Sequence, residues 1–173
     1  TDALVSRFDG RLPTLCEYFH LPVQSGSNRI LKLMRRGYTA EEYIERAERI
    51  RATNPDLHLT TDIIVGFPGE TEADFEETLS LLAKVRFDSL FAFKYSPRQG
   101  TTAAKLTDDV SRDEKDRRLA AVFAEAEKHR QARLAQYADR VVEVLVEGPS
   151  RKSSQPGAEP QLTGRTRTNL VVN

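Results

Sequence analysis

At 173 residues, 39% hydrophobic and 30% charged, the chain has material for one medium domain, or one domain with a small appendage. Its 26 basic and 26 acidic residues cancel, which excludes a general nucleic-acid coat or a polybasic membrane binder and makes any nucleic-acid face local. There is no apolar run of the ~20 residues a membrane span needs, and no signal-peptide core at the start, so the reading is soluble, cytoplasmic and without a membrane partner. Cys16 is the one cysteine, and His20, His58 and His129 are scattered, so the chain forms no internal disulfide and carries no metal or iron–sulfur ligand set of its own.

Residues 16–23 are the first strand expected, closed by the polar turn Gln24-Ser25-Gly26-Ser27. A short helix from Asn28 to Arg36 follows, with Ile30, Leu31 and Met34 inward and Gly37 at its end. Thr39 and Glu42 have capping-box spacing for a helix that turns Tyr43, Ala47 and Ile50 to one face and stops at Pro55. Residues 57–65, rich in β-branched side chains, form a second strand that ends at Gly66-Phe67-Pro68-Gly69. Thr71 and Asp74 cap the next helix, whose stripe is Phe75, Leu79, Leu82 and Val85, and residues 89–95 form a third strand ended by Ser96-Pro97-Arg98. The helical connections make these three strands parallel, an α/β arrangement with all carboxyl ends on one side.

From Ser111 to Tyr137 the spacing predicts a long amphipathic helix with Leu119, Val122, Phe123, Ala126, Leu134 and Tyr137 as its seam. A β-rich tail follows, with a strand over 141–146, a Gly/Pro/Ser-rich loop over 148–160 and a last short strand near 170–172. The domain boundary falls near 139, giving an α/β unit over 1–139 and an appendage over 140–173. In the tail from Gly148 onward, Arg151, Lys152, Arg165 and Arg167 stand against Glu159 alone, so positive charge concentrates there. Three parallel strands cannot close a barrel, and the chain reads as a piece of something longer.

The polar and glycine-rich runs sit where the strands end, the side on which parallel sheets bind ligands. Gln24, Ser25 and Ser27 can hydrogen-bond a ribose or carboxylate, or simply cap the next helix. The 66–70 turn is neither a Walker loop nor a dinucleotide-binding loop; Glu72 and Asp74 fit a favourable helix-dipole arrangement. Asp62, a carboxylate in an apolar strand, is expected to face the interior and to be paired there. Arg98 can bind a carboxylate or phosphate in bidentate fashion, or pair with Glu70.

The runs HLPVQSGS at 20–27, MRRGYT at 34–39, TDIIVGFPGET at 61–71 and YSPR at 95–98 resemble the signature runs of radical S-adenosylmethionine methylthiotransferases, in order and spacing. Residues 144–149 and 161–169 resemble the start of the TRAM domain, a small RNA-binding β-barrel, and point to the tRNA-modifying branch of the family. The resemblance implies the second half of a radical (β/α) barrel plus a truncated TRAM domain. It implies methylthiolation of carbon 2 of an N6-isopentenyladenosine beside the tRNA anticodon, with the anticodon stem-loop as partner, by an enzyme that is monomeric when complete.

In that chemistry one S-adenosylmethionine donates methyl and another is cleaved reductively, with two 4Fe-4S clusters whose cysteines are not in this chain. This portion alone is therefore expected to be inactive; the other reading is a non-catalytic RNA-binding module. The resemblance assigns Gln24 and Ser25 to the ribose or methionine part of S-adenosylmethionine, Ile64, Val65 and Gly66 to its adenine, and Tyr95 to the adenine through its backbone, with Glu70 and Arg98 as further cofactor contacts. Gln99, where proline is usual, and a long 153–160 stretch depart from the pattern. Cys16 is expected to pack as a small buried hydrophobe. Arg151, Lys152, Arg165 and Arg167 are the RNA-binding candidates; Arg165 and Arg167, two apart on a strand, are expected to share a face unless they pair with acids of the long helix.

Overall fold

The computed structural model describes residues 6–9, 11–154 and 159–173, without the side chains of Lys152 and Ser154. Strands β1 (Tyr18–His20), β2 (His58–Val65) and β3 (Ser89–Lys94) pair in parallel in chain order, as the α/β reading requires. The register sets His20 opposite Thr60, Asp62 opposite Phe91 and Ile64 opposite Phe93. The first strand, Tyr18–His20, is shorter than residues 16–23: at its carboxyl end Pro22 has no N–H to give to the ladder, and pairing resumes only as an isolated bridge between Gln24 and Ile63, while at its amino end it starts two residues after Cys16. Cys16 therefore lies before the strand and is exposed, which corrects the expectation that it packs inside.

The first three helices follow the sequence signals closely. Helix α1 (Asn28–Leu33) buries Ile30 and Leu31, and it ends short of Arg36 because Arg35 adopts a left-handed backbone with φ of 59°. Helix α2 (Ala40–Thr53) starts at a full Thr39/Glu42 capping box and buries Tyr43, Ala47 and Ile50. Helix α3 (Glu72–Val85) starts at a Thr71/Asp74 box and buries Phe75, Leu82 and Val85. These side chains meet Leu59, Ile63 and Val65 from the helix-facing side of β2 in one core cluster. The opposite side of the sheet is uncovered among the described residues, and Phe91 and Phe93 on it are 54% and 55% exposed.

The turn after β1 is stitched to α3. The Gly26 N–H donates to Thr78 Oγ1 at 2.9 Å, Ser25 Oγ lies 3.3 Å from the same oxygen, and Ser27 Oγ donates to Asp74 at 2.6 Å. Arg29 pairs with the same Asp74 carboxylate. Burial disfavours its charge, yet the hydrogen bonds from Arg29, Ser27 and Thr71 outweigh that and hold the carboxyl well below its usual range. Asp74 is thus a hub rather than only a helix-dipole partner.

Helix α4 (Arg112–Ala135) buries Lys115, Arg118 and Val122 instead of the continuous apolar seam expected. Phe123 and Leu134 stay 46% and 37% exposed, since 24 residues extend about 36 Å, past the edge of a three-stranded sheet. Arg118 reaches the loop after β2: its Nη1 donates to Glu70 Oε2 at 2.8 Å and to the Glu70 carbonyl at 3.0 Å, and Glu70 Oε2 also accepts the Gly66 N–H at 2.6 Å.

The tail forms a separate antiparallel sheet of β4 (Val144–Pro149), β5 (Leu162–Thr166) and β6 (Val171–Val172), in that order. Strand β5 carries Arg165 but ends before Arg167, and the loop over 148–160 contains a short 3-10 turn, Arg151–Ser154, while its residues 155–158 lie outside those described. Arg167, in the turn after β5, fastens the tail to the first unit. It pairs with Glu17 at 2.9 Å and donates to the carbonyls of Pro13 and Leu15 at 2.9 and 2.8 Å. Tyr137 adds a link, its hydroxyl 3.2 Å from both His58 Nε2 and Thr168 Oγ1.

Two outcomes follow. A Cβ on Gly26 would sit 2.5 Å from the Glu77 carbonyl oxygen and Thr78 Cα, backbone that cannot step aside, so Gly26→Ala should lower stability by about 1–3 kcal/mol in thermal unfolding. The Arg167 guanidinium, chiefly through its hydrogen bond, pulls the Glu17 carboxyl below its ordinary value. A depressed folded pKa means that this contribution is present above the ordinary glutamate range of about 4.3 and is lost as pH falls through the lowered value. Hydrogen-exchange protection of the tail amides, taken relative to the intrinsic rate at each pH, should therefore fall below that range in the parent protein, whereas Arg167→Ala should show the reduced protection already at neutral pH.

Candidate functional site

A cleft of about 520 Å³ opens at the carboxyl ends of the three strands. Its lining includes Gln24 after β1, Asp62 and Ile64 of β2, Phe67 of the next loop, and Phe93, Lys94, Tyr95, Ser96 and Arg98 from the end of β3. Met34, Arg35 and Arg36 from the turn after α1 complete one rim, and residues 101–103 another.

Gln24 is held in an unusual way. Its N–H donates to the Asp62 carbonyl at 2.8 Å and its carbonyl accepts from Ile64 at 2.9 Å, with φ of 73°. A non-glycine residue in this left-handed region is strained by about 1–2 kcal/mol, and two β2 hydrogen bonds fix it there. The side chain is almost buried and faces the cleft, with no hydrogen-bond partner among the described residues.

Phe67 meets Tyr95 edge-on, ring centroids 5.2 Å apart. The Tyr95 hydroxyl donates to Ala103 at 2.9 Å, its N–H donates to Val65 at 2.8 Å, and Lys115 Nζ lies 5.5 Å from the ring centroid. Burial, followed by the nearby Asp108 carboxylate, raises the Tyr95 phenol above its usual range, so the ring stays neutral. Lower on the same open face, Asp62 is half-buried and its Oδ2 lies 3.4 Å from His20 Nε2, while His20 Nδ1 lies 2.9 Å from Thr60 Oγ1. Asp62 is thus paired, as expected of a carboxylate in this strand.

Of the expected cofactor contacts, the structure brings Gln24, Ile64, Tyr95 and Arg98 together and leaves four elsewhere. Ser25 is fully buried against Thr78, and Val65 is fully buried in the core behind the sheet. A Cβ on Gly66, where φ is 68°, would lie 2.3 Å from Lys115 Cγ, so this glycine serves helix packing. Glu70 is buried against Arg118, not paired with Arg98, and burial pushes its carboxyl up despite the Gly66 and Arg118 hydrogen bonds that oppose the shift.

The expected RNA contacts are also redistributed. Arg165 pairs with Glu147 at 3.3 Å and bonds Asn169, and Arg167 is engaged with Glu17, so neither pairs with the long helix and each has an acid of its own. They share a second cleft with Cys16, Tyr18 and Asn169. Arg151 is exposed, and the side chain of Lys152 lies outside the described residues. Phe93, Arg35 and Arg36 were given no role in the sequence, although the MRRGYT run contains both arginines; their signal is the left-handed turn, which aims them over the cleft.

The residues fit S-adenosylmethionine better than they fit a cluster. Gln24 offers an unpartnered amide beside an apolar and aromatic wall, whereas no group of three potential metal ligands occurs among the described residues and Cys16 lies in the other cleft.

Residues 10–82 match the family model described as the Radical SAM superfamily. The chain is 50% identical over 162 residues to the tRNA-2-methylthio-N(6)-dimethylallyladenosine synthase of Moorella thermoacetica, covering 94% of this chain and 35% of that protein. It is 50% identical to the synthase of the same name from Syntrophobacter fumaroxidans, covering 100% of this chain and 37% of that protein. The chain thus spans little more than a third of the length of the curated relatives it matches. Among solved structures, coproporphyrinogen III oxidase (HemN) from Escherichia coli, described as a radical SAM enzyme, superposes with a TM-score of 0.59 at 22% identity, covering 72% of this chain and 30% of that one, a likeness of fold. Residues 10–82 are thus similar to the radical SAM superfamily, and nearly the whole chain is similar to about a third of the length of the tRNA-2-methylthio-N(6)-dimethylallyladenosine synthases.

Proposed function

We propose that the protein is a tRNA methylthiotransferase that places a methylthio group on carbon 2 of an N6-isopentenylated adenosine beside the anticodon, and that the chain supplies one wall of its S-adenosylmethionine site. The supporting observation is the convergence of Gln24, Ile64, Tyr95 and Arg98 on one cleft at the carboxyl ends of parallel strands. Gln24 has a free amide for the ribose or methionine part, Ile64 a flat apolar edge for the adenine, and Tyr95 a backbone carbonyl beside it. Arg98 can take the carboxylate through its fork. Radical chemistry of the radical SAM superfamily draws on S-adenosylmethionine and an iron–sulfur cluster, and the described residues of this chain do not fit a cluster.

The reading includes a division near residue 139 between the radical unit and a TRAM-like appendage, a cytoplasmic location and a monomeric complete enzyme. No helix among the described residues is long and apolar enough to cross a membrane. The direct test is mass spectrometry of nucleosides from tRNA incubated with the full-length protein, S-adenosylmethionine and reductant. A gain of the methylthio group on isopentenyladenosine is expected, and its absence overturns the reading. Gln24→Gly separates binding from folding: it removes the amide while relieving the left-handed backbone. S-adenosylmethionine affinity should fall about 2–10-fold, the worth of one ordinary hydrogen bond, with the melting temperature unchanged or higher. An unchanged affinity would remove Gln24 from the site.

A further inference from the structure

We propose that Arg35 and Arg36, on the turn after α1, hold phosphodiester groups of the RNA strand that flanks the reacting nucleoside at the cleft mouth. The inference rests on the tRNA reading above and adds to it the site of backbone grip.

Both arginines are exposed and line the cleft with Gln24, Tyr95 and Arg98. Asp62, held by His20, is the one carboxylate among the described lining residues, and neither arginine has an ion-pair partner among the described residues. Neighbouring cations are committed elsewhere, Arg29 to Asp74 and Lys94 to Asp116. The tail is committed too: Arg165 and Arg167, the two residues expected to share phosphate, are paired with Glu147 and Glu17. In a chain of zero net charge, this rim is a local excess of unpaired guanidinium.

The rim is also preorganised. Arg35 N–H donates to Lys32 at 3.0 Å and Arg36 N–H to Leu31 at 2.9 Å, closing α1 in a left-handed turn. Two residues on, the Tyr38 hydroxyl lies 3.1 and 3.2 Å from the carbonyls of Pro22 and Val23, tying the turn to the residues just before Gln24. Two adjacent guanidinium forks on a fixed turn suit successive phosphates, whose oxygens accept bidentate hydrogen bonds. Phe93, in the same cleft and 55% exposed, offers a face on which an unstacked base can lie. A cofactor carboxylate, by contrast, is a single anion for which Arg98 already stands ready.

The test measures tRNA binding by the full-length protein across a series of salt concentrations, for the parent and for Arg35→Ala/Arg36→Ala. The backbone conformation costs alanine and arginine alike, so the fold is not expected to change, and the melting temperature checks this. Affinity should fall, and the slope of log affinity against log salt should flatten by about 0.7 per lost contact, the value for single strands. S-adenosylmethionine affinity should stay at the parent value, and Arg35→Lys/Arg36→Lys should recover most of the slope. A double alanine variant with parental tRNA affinity and slope, in a protein whose parent binds and methylthiolates tRNA, overturns this inference alone. Loss of S-adenosylmethionine affinity with tRNA binding intact also overturns it, assigning the pair to the cofactor. A parent that does not bind tRNA overturns the proposed function, and this inference with it.

Discussion

The cleft depends on one buried ion pair. Glu70 and Arg118, with side chains 1% and 5% exposed, join the loop after β2 to the long helix α4. Such a pair gives up much of its Coulomb energy to desolvation, but its geometry is what counts here. The Glu70 carboxylate closes the 66–70 loop on its own Gly66 N–H, so that Phe67 is presented to Tyr95 and forms a wall of the cleft. Arg118 in turn sits over the Phe75 ring at 5.4 Å and donates to Glu114 at 2.8 Å, so that helix α3, helix α4 and the loop share one charged centre. Lys115 repeats the motif one turn earlier, its stem against Gly66 and its ammonium on Asp108.

Much of this was legible in the sequence because local rules and tertiary packing agree. The capping boxes at Thr39 and Thr71 and the helical spacing of Tyr43, Ala47, Ile50, Phe75 and Leu82 are short-range signals, and all are realised. Helix α4 was harder to read, because its buried side is built from Lys115 and Arg118, charged residues whose partners lie some 50 positions earlier or in a loop. The tail arginines illustrate the same limit. Counting acids within the tail finds too few to neutralise Arg167, while its partner Glu17 stands 150 positions upstream. Charge totals along a segment do not report pairing across a fold.

The candidate site divides along similar lines. A motif is contiguous, but a strand sends neighbouring side chains to opposite sides. Reading 64–66 as one adenine contact therefore joins Ile64, which lines the cleft, to Val65, which does not. Ser25 parts from Gln24 in the same way, drawn to α3 by Thr78. Which member of a conspicuous run meets a ligand is decided by what the other side of the element needs.

That division has a genetic corollary in β2. Along its eight residues, Leu59, Thr61, Ile63 and Val65 are buried toward the helices, while Asp62 and Ile64 look into the open side. Lesions at odd-numbered positions act on the amount of folded protein in a cell, because they loosen the packing of every layer behind the sheet. Lesions at 62 and 64 leave abundance nearly untouched and alter what the folded molecule can hold. From 61 to 65 the strand thus carries two phenotypes in alternation, and a scan of single substitutions along that stretch separates quantity of protein from quality of site.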